Sequence, residues 1–141
     1  MNKSLNPAHR VTRAAGWRLG ALLLLGSTVQ AGQAAPAELV NIEWADTGRF
    51  ERTLTVAPAK FAEVCGKLRE GQTVKWSFDT PEAMNFNIHY HAGKDVVYPA
   101  RQNKVRQLQG ELAVTTTQDY CWMWANKSPK AAQLRLTLSR Q

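Results

Sequence analysis

The 141-residue sequence is poor in the residues that usually carry catalysis, with two cysteines and three histidines. No serine sits in a G-x-S-x-G turn, H-E-x-x-H is absent, and no glycine-rich phosphate loop follows a strand-like run. The common hydrolase, zinc-protease and nucleotide-binding signatures are therefore missing. Internal repeats and low-complexity segments are also lacking, and no window holds a long 3.6-residue apolar period. Acid is absent from the start of the chain. All 11 Asp and Glu fall after residue 37, whereas Lys3, Arg10, Arg13 and Arg18 precede residue 19.

That imbalance has an explanation in the first thirty residues. The basic segment 1–20 runs into ALLLLGSTV (21–29), which is too short to cross a bilayer as a lasting helix. Small residues follow at V-Q-A (29–31). A basic start, a short apolar centre and an A-x-A-like exit make a secretory signal peptide over residues 1–31, cleaved after Ala31, with Ala34 or Ala35 as alternatives. Residues 32–37 then form a short linker, and 38–141 a single domain. Without the leader the chain keeps 14 Lys and Arg against 11 acids, a net of +3. Mixed charges with no basic run exclude a nucleic-acid binder. The exported chain is expected in the periplasm or outside the cell, with no permanent membrane anchor.

Cys65 and Cys121 both lie in the exported part and lack C-x-x-C spacing, so in an oxidising compartment they are read as one disulfide. Closing that loop stabilises a small core by about 4 kcal/mol.

Within the domain nearly every apolar run alternates. Phe50, Leu54 and Val56 recur at even spacing in 49–56; Val74, Trp76 and Phe78 in 73–78; Met84, Phe86, Ile88 and Tyr90 in 84–91. The segments 95–99, 112–117, 119–126 and 131–140 (with Leu134, Leu136 and Leu138) add further strands. Turns fall at 66–72, 79–83, 92–95 around Gly93, and 127–130. Residues 57–65 hold the one plausible helical turn, and the polar segment 100–111 reads as a mobile connection. Seven to eight short strands separated by turns predict an all-β, antiparallel β-sandwich.

Period two places Asn85, Asn87, His89 and His91 on one face of a strand, opposite Met84, Phe86, Ile88 and Tyr90. Histidines at i and i+2 have bases about 6.5–7 Å apart and can lean onto one ion. H-x-H is thus half of a site for Cu(II), Zn(II) or Ni(II), with Met123, Asp95, Glu82 or Asp119 as the candidate third ligand. On the 119–126 strand Tyr120, Trp122 and Trp124 oppose Cys121, Met123 and Ala125. The three aromatics either pack in the core or, if a disulfide-bonded Cys121 points inward instead, turn out under the 100–111 segment or into an exposed binding stripe. There they would suit a partner, a lipid or a sugar ring, or shield Cu(I) by a cation–π contact.

Cys65 with LREGQ (68–72), VKWSF (74–78) and YCWMWANKS (120–128) resemble, in that order, the GOLD domain, the β-sandwich of lumenal cargo receptors. The resemblance covers about residues 60–140. It implies a β-sandwich in which Cys121, in a late strand between Tyr120 and Asn126, pairs with Cys65; the aromatic-rich CWMW departs from the family pattern. A weaker likeness is to cupredoxin-type periplasmic copper proteins, through His89, Cys121 and Met123. No histidine follows residue 91, so a blue-copper centre would need both histidines from one strand.

Together these readings predict a non-enzymatic, exported binding module. The leading expectation is copper handling through His89, His91 and Met123. The alternative is a metal-free module that recognises an envelope protein through Tyr120, Trp122, Trp124 and Asn87.

Overall fold

The structure is a computed structural model, and residues 37–141 are described here; the expected signal peptide and nearly all of the expected linker lie outside the described residues. Seven strands follow in chain order: β1 Glu38–Asn41, β2 Arg49–Val56, β3 Phe61–Leu68, β4 Thr73–Ala92, β5 Asp95–Ala113, β6 Gln118–Asn126 and β7 Ala132–Arg140. No helix occurs among the described residues. The hydrogen-bonded order is β1-β3-β6-β4-β7-β2, with β5 along the other edge of β4. Every pairing is antiparallel except β1 with β3, which is parallel.

The layering follows from β4. Residues Val74–Asp79 pair with β7, whereas Met84–His89 pair with β6. Between them the ladder breaks around Pro81, which has no N–H to give it. Phe78 and Phe86 stand eight residues apart, about 26 Å along a straight strand, yet their ring centroids are 4.8 Å apart. The strand therefore folds over on itself and serves both layers of a sandwich. Phe78 also meets Trp124 edge-on at 5.4 Å, and Trp76 packs on Phe86 at 5.0 Å. The core lies between the layers, and the core residues of β2, β4, β6 and β7 are all even-numbered.

Several sequence expectations change. The supposed helical turn at 57–65 is a turn, closed by Lys60 N–H to the Ala57 carbonyl at 3.1 Å, followed by strand β3. Nor is the 100–111 segment a mobile connection. It belongs to β5, whose backbone is held by β4, with Ala100, Val105 and Leu108 packed on the core; its polarity reflects an edge position with one side in water. The structure also decides between the two readings of the aromatics. Tyr120, Trp122 and Trp124 are buried in the core, at 1%, 0% and 0% exposure, so they form no binding stripe. Each such ring removes 150–250 Å² from water, far more than a cystine does, and this decides which face turns inward.

The disulfide Cys65–Cys121 is present. It joins directly opposed residues of β3 and β6 on the outer face of that layer, not inside the core. Buried Asn126 secures the end of β6. Its amide donates to the Val56 and Lys130 carbonyls at 3.0 and 2.7 Å, and its carbonyl accepts from Ser128 N–H at 2.9 Å.

Candidate functional site

The β4–β5 hairpin turns at Gly93, whose φ of +64° suits a residue without a Cβ. Register then sets the faces. Asn87 and His89 of β4 lie opposite Met123 and Cys121 of β6, and these lie opposite Glu63 and Cys65 of β3. One outer face therefore gathers Asn87, His89, Met123, the disulfide and Glu63.

His89 is 7% exposed although it lies on an outer face. Part of its cover comes from a bulge. Ile88 opposes Ala100 and Tyr90 opposes Val97, so His89 faces two residues, Tyr98 and Pro99. The Tyr98 ring stands 5.9 Å from the imidazole, and His91 meets it edge-on at 5.5 Å. Both ring nitrogens have partners: Nδ1 is 2.8 Å from Asn87 Oδ1, and Nε2 is 3.0 Å from Glu63 Oε1. Burial pushes the His89 pKa down; the Glu63 carboxylate opposes that, and His91 adds to it. The neutral form is thus favoured at neutral pH.

Beside this cluster the hairpin is exposed and apolar. Val96, Val97 and Tyr98 are 39%, 38% and 44% exposed, and they are three of the four large hydrophobic residues so exposed among the described residues. The Arg101 guanidinium caps the Tyr98 ring at 4.0 Å. Charge is concentrated here too. Between residues 84 and 110 Lys94, Arg101, Lys104 and Arg106 face Asp95 alone, while the rest of 37–141 carries ten charges of each sign. The 84–110 part of the hairpin therefore holds the whole net +3. Among the described residues none of its four cations is in an ion pair. Lys104 and Arg106 continue into a hollow of about 870 Å³ at the bend, lined also by Asp79, Pro81 and Arg135.

The predicted site residues are thus divided. His89, Asn87 and Met123 share the outer face, with exposed His91 beside His89, while Tyr120, Trp122 and Trp124 are on the core side. Trp122 and Trp124 therefore cannot shield a metal held at His89. Among the expected third ligands, Asp95 lies at the hairpin end opposite Ala92, Asp119 opposes Lys67, and Glu82 is at the bend. The acid in contact with His89 is Glu63, which sequence reasoning had placed in a helical turn. Cys121 is near His89 but is committed to the disulfide, so it offers no thiolate.

No family model matches the sequence, and no curated protein does. Solved structures do match. The fold is shared with periplasmic lysozyme inhibitors. PliG of Aeromonas hydrophila, a periplasmic inhibitor of g-type lysozyme, superimposes with a TM-score of 0.61 at 16% identity, covering 75% of this chain and 98% of that one. PliG of Salmonella Typhimurium gives 0.56 at 15% identity, over 74% of this chain and 99% of the inhibitor. The pre-peptidase C-terminal domain of a Bacillus anthracis collagenase gives 0.51 at 12% identity, over 77% and 100%. At such identities the likeness is one of fold. It supports the sandwich and does not single out the GOLD or cupredoxin families.

Proposed function

We propose that the chain is an exported protein-interaction module, without catalytic activity of its own, whose contact surface is the outer part of the β4–β5 hairpin. The observation that carries this reading is the concentration there of exposed Val96, Val97 and Tyr98. Aromatic anchors flanked by arginine are typical of the few residues that dominate protein interfaces. The unpaired cations around them favour a partner whose facing surface is acidic. Export follows from the leader at 1–31 and agrees with the periplasmic setting of the PliG proteins. Their partner makes g-type lysozyme the first protein to try.

The test is binding of the purified protein to a g-type lysozyme by calorimetry, together with a cell-wall lysis assay. Tyr98→Ala should weaken binding by about tenfold or more, and Val96→Ser/Val97→Ser should weaken it further. Inhibition that survives these changes undiminished would remove the hairpin as the contact surface. Absence of any binding would remove this class of lysozyme as the partner.

A further inference from the structure

The Asn87–His89–Glu63 cluster brings ligand-type atoms to close range on the outer face. His89 Nδ1 lies 2.8 Å from Asn87 Oδ1, and its Nε2 lies 3.0 Å from Glu63 Oε1. With Asn87 accepting from Nδ1–H, the Nε2 lone pair and the Glu63 carboxylate face each other at the spacing of two donors on one cation.

We infer that Glu63, His89 and His91 form a site for a borderline divalent cation, zinc(II) or copper(II), on the outer face of the β3–β6–β4 layer. Zn–N and Zn–O bonds of about 2.0–2.2 Å at a tetrahedral angle put two donors about 3.3 Å apart, close to the Glu63–His89 separation. The same bond lengths put two imidazoles on one ion with ring centres about 5–5.5 Å apart, and the His89–His91 rings are 5.5 Å apart. His91 is exposed and free to turn a nitrogen inward. Asn87 supplies what metal-bound histidines usually have, an acceptor that fixes the tautomer from the far side of the ring. Two nitrogens and one carboxylate oxygen suit Zn(II) or Cu(II) rather than Cu(I), which prefers sulfur. The remaining coordination position is open to solvent or to a ligand from outside. This inference is independent of the partner reading, because it needs no second protein.

The experiment is calorimetric titration of the untagged, disulfide-intact protein with zinc chloride and, separately, copper(II) at neutral pH. The expected result is saturable binding of one ion per chain, lost in His89→Ala and weakened by at least about tenfold in Glu63→Gln and in His91→Ala. In the zinc-loaded protein, ¹⁵N chemical shifts should place the metal on Nε2 and the proton on Nδ1 of His89. Glu63→Gln keeps the side chain's shape and His91→Ala changes an exposed residue, so a thermal melt and near-ultraviolet dichroism like those of the unaltered protein show that the fold is kept. No saturable uptake of either ion, or uptake that Glu63→Gln and His91→Ala leave unchanged, would overturn the inference. So would a zinc-loaded His89 with its proton on Nε2.

Discussion

Replacing Asn126 tests the packing account at one buried polar group. The side chain is 0% exposed and makes three hydrogen bonds. Their loss would not be felt equally. The Lys130 carbonyl keeps a bond from the Ser128 hydroxyl at 2.9 Å, and Ser128 N–H lies near solvent, where water can replace the lost oxygen. The Val56 carbonyl is buried beneath the turn and loses the amide that reaches it from 70 residues away. One stranded acceptor at about 1–3 kcal/mol, plus roughly 1 kcal/mol for the remaining bonds, gives about 2–4 kcal/mol for Asn126→Ala. Asn126→Asp should be worse at neutral pH, because a carboxylate would face two carbonyl oxygens. Its pKa in the folded state would then be raised, so the folded protein binds the extra proton. Stability of the Asp variant should rise as pH falls toward about 4 and be lost as pH rises through the folded pKa. Urea unfolding of the three proteins at pH 4.5 and 7.5 measures both effects. If Asn126→Ala costs less than about 0.5 kcal/mol, or if Asn126→Asp is no more sensitive to pH than Asn126→Ala, the hydrogen-bond account of this turn is wrong.

Two further predictions concern the layer that carries the cluster. Changing Cys65→Ser/Cys121→Ser should lower stability by about 4 kcal/mol in a urea titration, because the closed loop spans 56 positions. Thiols persisting in the oxidised native protein would contradict the pairing. His89, with a pKa depressed by burial, resists protonation in the folded state. The unfolded chain then binds more protons below the ordinary histidine pKa of about 6.5, so stability should fall as pH drops from there toward the lower folded value. His89→Asn should flatten that fall in denaturant titrations between pH 7.5 and 5, and an unchanged slope would show that another group causes it.

Much of the sandwich was legible in the alternation of β2, β4, β6 and β7, because a strand with one face inward must repeat every second residue. What period two cannot say is which face is inside. On β6 it separated Cys121 and Met123 from Tyr120, Trp122 and Trp124 and left both assignments of the core open. The larger apolar area of three aromatic rings decides it. Strand β5 was hidden for the opposite reason. An edge strand solvated along one side needs few apolar residues, and 100–111 has only Ala100, Val105 and Leu108 on the core. Of the candidate site, the H-x-H pair and its polar face were readable from spacing. Glu63 was not, since β3 and β4 bring it to His89 only by pairing on either side of β6, a strand much later in the chain. Nor was the bulge that places Tyr98 over the imidazole.

Site-directed photocrosslinking in the cell envelope tests the hairpin as the contact surface most directly. A photoreactive phenylalanine analogue would be placed at position 98, on the exposed hairpin, or at position 53, on the exposed side of β2. The account predicts a discrete crosslinked partner from position 98 that is absent from position 53 and is competed away by added unlabelled protein. A specific adduct from position 53, with none from position 98, would contradict it.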